Sequence, residues 1–103
     1  MDIRITSNDA SPVRVTLAGE FDLATAPDLR ACFENLDGDI DIDCSGVTFM
    51  DASCLGAFAT LHSRCEEEGS KLVFIDVPPL ALRLFEITGL ASHFHTRVER
   101  DSR

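Results

Sequence analysis

Apolar and polar residues alternate in two short runs at the start of the chain. Ile3 and Ile5 alternate within residues 2–7, and Val13, Val15 and Leu17 alternate with Arg14 and Thr16. A period of two predicts strands, the first with one buried face. Residues 8–12 between them read as a turn, which suits an antiparallel hairpin, and Gly19 is expected to end the second strand. Phe21 and Leu23 should then reach inward from a connecting segment. Thr25 reads as a helix N-cap, with Pro27 and Asp28 in the first turn. Leu29, Cys32, Phe33 and Leu36 follow as an amphipathic stripe until Asp37 and Gly38 stop the helix. Ile40 and Ile42 alternate with Asp39, Asp41 and Asp43 in a third strand, broken by Ser45 and Gly46. Val47, Phe49 and Met50 are expected to plug the core from the loop beyond.

Asp51 precedes a helical run over residues 52–69 and is a good N-cap, accepting bonds from the first free N–H groups. At about 100° per residue, Leu55, Phe58, Leu61, His62 and Cys65 share one side, with Cys54 at its edge. That side predicts the core face. The opposite side carries Ala52, Ser53, Gly56, Thr60, Ser63 and Glu67. Small residues near the helix start let another backbone come close. That backbone belongs either to another segment of this chain or to a docked partner. Gly69 reads as the C-cap, with Glu66, Glu67 and Glu68 as a solvated charge cluster.

Leu72–Ile75 is a continuous apolar run, expected of a strand covered on both faces. Pro78 and Pro79 open a short helix carrying Leu80, Leu82, Leu84, Phe85 and Ile87, which Thr88 and Gly89 end. Residues 93–98 suggest a last edge strand, with His93 and His95 exposed along it, and the polar tail from Glu99 is expected to fray. Strands alternating with helices predict right-handed crossovers. The expected fold is one α/β domain over residues 1–103, a mostly parallel sheet of about four or five strands with helices packed against it.

Composition narrows the function. The chain has 103 residues and a formal charge of −9, from 9 basic and 18 acidic side chains. Nucleic acid and anionic membrane surfaces need a basic footprint, so neither is an expected partner. No apolar run approaches a membrane span, and residues 1–10 lack the apolar core of a signal peptide, so a cytoplasmic location is expected. Cys32, Cys44, Cys54 and Cys65 are widely spaced without a C-x-x-C pair, which argues against zinc and for reduced, mostly buried thiols. Cys54 and Cys65 lie about 16 Å apart along one helix and cannot bridge. A bridge between Cys32 and Cys44 stays open at this level.

Catalytic chemistry finds little support. There is no G-x-S-x-G elbow, P-loop or H-E-x-x-H motif. Asp51, Ser53 and His62 are the residue types of a triad, but His62 lies on the core side of its helix and Ser53 on the outer side. No cofactor or metal is expected, and no enzymatic activity.

The run DCSGVTFMDASCLG, with GEFDLATAPDLR upstream and PPLALRLFEITGL downstream, resembles the STAS family, the bacterial anti-sigma factor antagonists. The family pattern is an acidic strand end, S-G-V-x-F-x-D, two small or hydroxyl residues, and usually G-L. The resemblance implies the same α/β layering, and it covers nearly the whole chain. It also implies that Asp22 lies beside the family's phosphorylation loop. The other reading of Asp22 is a solvated loop acid or a cap for a nearby backbone group. Two departures are plain: Ala52 stands where phosphorylated members carry serine, and Cys54 where glycine is usual. The expected partner is an anti-sigma factor of the serine-kinase type, whose capture releases a sigma factor. The expected binding residues are Asp22, Asp51, Ala52, Ser53 and Gly56, with Ser53 the fallback phosphorylation site. STAS-like domains also serve as regulatory subunits of lipid-transport ATPase complexes, and Ala52 suits a subunit that is not phosphorylated. A small enzyme or nucleotide-binding module is the third and weakest option.

Overall fold

The computed structural model describes residues 1–6 and 12–99. Its elements run β1 (Asp2–Thr6), β2 (Val13–Phe21), α1 (Ala26–Glu34), β3 (Ile40–Met50), α2 (Leu55–Glu68), β4 (Leu72–Ile75), α3 (Pro79–Ile87) and β5 (His95–Arg97). Short 3-10 turns over Ala52–Cys54 and Leu90–Ser92 precede α2 and β5. The strands form one sheet in the order β1-β2-β3-β4-β5. β1 is antiparallel to β2, with Ile3 opposite Leu17, and every later pair is parallel. Strands added in sequence by right-handed crossovers put α1, α2 and α3 on the same face. The expected α/β architecture is the one observed.

The core lies between that face and the helices. Val15, Leu17, Ile40, Ile42, Cys44 and Phe74 point into it from the strands and are fully or almost fully buried. Phe58 of α2 meets them with no exposed surface, its ring 5.1 Å from Phe74 and 5.8 Å from Phe33. Phe85 and Phe94 extend this aromatic cluster, Phe94 stacking on Phe74 at 4.8 Å. The other sheet face is polar. Asp41, 8 % exposed, is met by Arg97 at 3.2 Å and Arg14 at 3.8 Å. Glu99 lies 2.9 Å from Arg14 and 2.8 Å from Arg97, so two arginines are shared among acids on β3 and beyond β5. The tail is thus tied at Glu99, whose N–H also donates to Asp76 Oδ1 at 2.8 Å.

Several local expectations are corrected. Gly19 does not end β2 and the Ser45-Gly46 pair does not break β3; both strands run on, to Phe21 and Met50. Two register shifts between these strands absorb the irregularity. Gly19 adopts φ +94°, which suits glycine, and a Cβ on Gly46 would sit 2.9 Å from the Ala18 Cβ. These glycines permit a bulged, close strand pairing. Val47 and Met50 are buried as expected, but from a strand; Phe49 is 44 % exposed. Leu23 does not reach inward and is 74 % exposed, because the chain turns there at the surface. β1 buries no face: Ile3 is half-buried and Ile5 is 45 % exposed, since β1 is the outermost strand. The turn expected at residues 8–12 falls largely outside the described residues. α2 proper starts at Leu55, three residues later than the periodicity predicts, because Ala52–Cys54 form a tighter turn.

Candidate functional site

The parallel strands β2, β3 and β4 end at one pole, where sites in open α/β sheets tend to lie. The Asp51 N–H donates to the Phe21 carbonyl at 3.0 Å, joining the end of β3 to the end of β2. Asp51 itself is extended, at φ −110° and ψ 173°, and caps the turn: its Oδ1 accepts the Ser53 N–H at 2.9 Å. The Ser53 hydroxyl donates to the same oxygen. Thus the cap expected of Asp51 forms, and it engages the serine hydroxyl as well as its amide.

Asp22 follows β2 directly and organises the neighbouring loop. Its Oδ1 accepts the N–H groups of Ala24 at 3.0 Å and Thr25 at 3.2 Å. The Asp22 N–H donates to Thr25 Oγ1 at 2.8 Å, and that hydroxyl returns a bond to the Asp22 carbonyl at 3.1 Å. Thr25 holds the N-cap position of α1, but its side chain bonds this loop rather than a helix N–H. The carboxylate of Asp22 is therefore a local cap, as one of its two readings has it.

Cys54 fastens the two loops together. It is wholly buried, and its thiol donates to the Asp22 carbonyl at 3.6 Å. Burial pushes the thiol pKa up, and the nearby carboxylates of Asp51 and Asp22 push the same way, partly offset by hydrogen bonds from Ser53 and Thr25. A residue that departs from the family pattern thereby acts as the bolt between Asp22 and Asp51. Sequence reasoning placed Cys54 at the edge of the core face but could not see this bond, which spans 32 residues of chain.

The outer side of the helix start is bare. Ala52, Gly56, Thr60 and Ser63 are exposed, and Ser53 is half-buried. Of the two expectations for this face, cover by another segment of the chain is met at Gly56 by a side chain of α1. A Cβ on Gly56 would lie 3.0 Å from a terminal nitrogen of Arg30, reaching over from α1. Arg30 gave no signal in the sequence, because its approach depends on how α1 packs on α2.

No catalytic constellation assembles. His62 lies away from Ser53, 5.5 Å from the Phe94 ring, with Nε2 3.6 Å from Glu66 Oε1. Among the described residues, no three His, Cys, Asp or Glu side chains are grouped to hold a metal, and no helix is long and apolar enough to cross a membrane. What the pole holds is two carboxylates locked in turns and a capped serine, beside the exposed Ala52 and Gly56.

A five-stranded sheet covered on one face by helices, with a capped turn at the head of the central helix, defines a small single-sheet α/β domain. A family model described as "Mlab, STAS domain" matches residues 5–96. The "Anti-sigma-B factor antagonist" of Listeria monocytogenes is 32% identical over 95 residues, covering 88% of this chain and 83% of that protein. The Bacillus subtilis protein of the same name is 32% identical over 93 residues, with 87% and 83% covered. The anti-sigma factor antagonist SpoIIAA, solved in its unphosphorylated form, superposes with a TM-score of 0.80 at 18% identity, over 97% of this chain and 90% of that one. The chain belongs to the STAS-domain family of anti-sigma factor antagonists, a class of regulatory proteins rather than enzymes.

Proposed function

We propose that this protein regulates transcription by partner switching in the cytoplasm. It binds an anti-sigma factor of the serine-kinase type and so frees a sigma factor. The observation that carries the reading is the bare head of α2, where Ala52 and Gly56 are exposed beside the Asp51–Ser53 cap. A partner backbone can approach there once the flexible end of Arg30, which reaches over Gly56, swings aside. Asp22 and Asp51 frame the surface with negative charge, and the formal charge of −9 speeds association with a basic partner at low salt. Leu23 and Phe49, exposed near the ends of β2 and β3, supply apolar contact that a partner can bury.

Phosphorylation control is weakened in this chain. Ala52 removes the hydroxyl at the family's position. Ser53 is the fallback acceptor, but its hydroxyl is already donated to Asp51. A second reading, a STAS regulatory subunit of a lipid-transport ATPase complex, is favoured by the same Ala52, since such a subunit needs no phosphoacceptor. Purification from the native host separates the two. Co-purification of an anti-sigma kinase supports the first reading; a membrane ATPase in its place would replace it with the second.

A further inference from the structure

A groove of about 620 Å³ opens at the other pole of the domain, where the end of α2 meets the starts of β4 and β5. That volume lies within the range of small-molecule sites. The 14 residues of α2 span about 21 Å, so the groove is well removed from the Asp51 turn. Its floor is apolar: Cys65 and Leu72 are 2 % and 3 % exposed, and Val73 is half-buried. Its rim carries His62, Lys71 and His95, together with Glu66 and Arg97.

The charges on that rim are not equally available. Arg97 is committed to Glu99 at 2.8 Å and Asp41 at 3.2 Å. Glu66 lies 3.6 Å from the His62 imidazole. Lys71 gives its backbone N–H to Asp39 at 2.9 Å, but among the described residues its ammonium has no ion pair. Lys71 therefore brings one positive charge without an ion pair to the lining of a groove with an apolar floor, in a chain whose formal charge is −9. A single anionic head matches it. A dianion would carry excess charge toward Glu66.

We propose that this groove binds a small organic monocarboxylate with an apolar body. The carboxylate sits on the Lys71 ammonium within reach of His95, and the body lies over Cys65, Leu72 and Val73. This site is separate from the partner surface, and its test needs no partner.

The full chain is titrated with octanoate, following backbone amide resonances by NMR. Saturable shifts are expected at Lys71, Leu72 and His95, with none at Asp51 or Ser53. Octanamide, which keeps the body and loses the charge, should bind about ten- to hundredfold more weakly, as should octanoate to Lys71→Glu. Lys71 is exposed, so the variant should keep its fold, which the dispersion of its spectrum checks. Inorganic phosphate should not saturate. The proposal is overturned if octanoate fails to saturate by roughly 10 mM. It is equally overturned if octanamide or Lys71→Glu leaves the affinity unchanged, or if phosphate binds as tightly as octanoate.

Discussion

Ser53 and the four thiols are the residues whose chemistry is most constrained by their surroundings. The Ser53 hydroxyl and amide both converge on Asp51 Oδ1, so phosphoryl transfer to Ser53 must first break the hydroxyl's bond. The serine also lies one position beyond the family's acceptor, about 100° round the helical turn, and in-line transfer is sensitive to that offset. Incubation with the partner kinase and ATP should leave intact mass largely unchanged, and any added phosphate should map to Ser53. Rapid stoichiometric phosphorylation would contradict this. Ser53→Asp should weaken partner binding more than Ser53→Ala, since only the former adds charge beside Asp51. The cysteines are free, and three of the four are buried. Burial raises every thiol pKa, that of Cys44 to about 12, with Asp43 and Asp76 adding to the effect. At neutral pH the reactive thiolate is therefore scarce. Partner affinity should be equal with and without reductant, and alkylation by iodoacetamide slow; a clear redox dependence would show that a thiol opens in solution.

Among the elements, α2 links the core to the Asp51–Ser53 cap. Phe58 sits at the centre of its buried side and touches Phe33, Phe74 and Phe85. Phe58→Ala should cost about 3–5 kcal/mol, a large share of the total for a domain this size. A loss below about 1 kcal/mol in denaturant melts would mean that the core relaxes around the missing ring. The face of α2 was legible in the sequence because apolar spacing along one helix is a local property, as is the cap made by Asp51. The strands were legible where alternation was regular, at Val13, Val15 and Leu17 and at Ile40 and Ile42. It failed at Gly19 and Gly46, where the strands bulge, because a bulge is set by the neighbouring strand. The same reason hid the rest of the site. The thiol of Cys54 on the Asp22 carbonyl and Arg30 over Gly56 join elements far apart in sequence. Leu23 and Phe49 were misread as core residues because hydrophobicity alone does not separate a core side chain from an exposed anchor.

At the scale of the whole molecule, an apolar layer binds the helices to one sheet face while ion pairs tie β2, β3 and the segment after β5 across the other. Hydrogen bonds from Arg14 and then Arg97 hold the Glu99 carboxyl below its ordinary pKa. A depressed carboxylate stabilises the fold above its unfolded pKa, and that contribution is lost as pH falls through the folded value. Amide protection along β5 should therefore drop selectively below the usual carboxylate range, while α2 keeps its own; equal protection of β5 in acid would show that Glu99 does not hold this edge. The proposed partner surface lies at the strand C-termini and the groove at the opposite end. The most direct test of the central claim is a calorimetric titration of the chain and its Gly56→Gln variant against the co-encoded serine-kinase anti-sigma factors. Gly56 is exposed and a Cβ there meets only the movable end of Arg30, so the variant should fold at least as stably. The expected result is a saturable complex for the native chain, weakened about tenfold or more in the variant by its bulk on the bare helix face. No complex with any of those factors, or equal affinity for both forms, would contradict it.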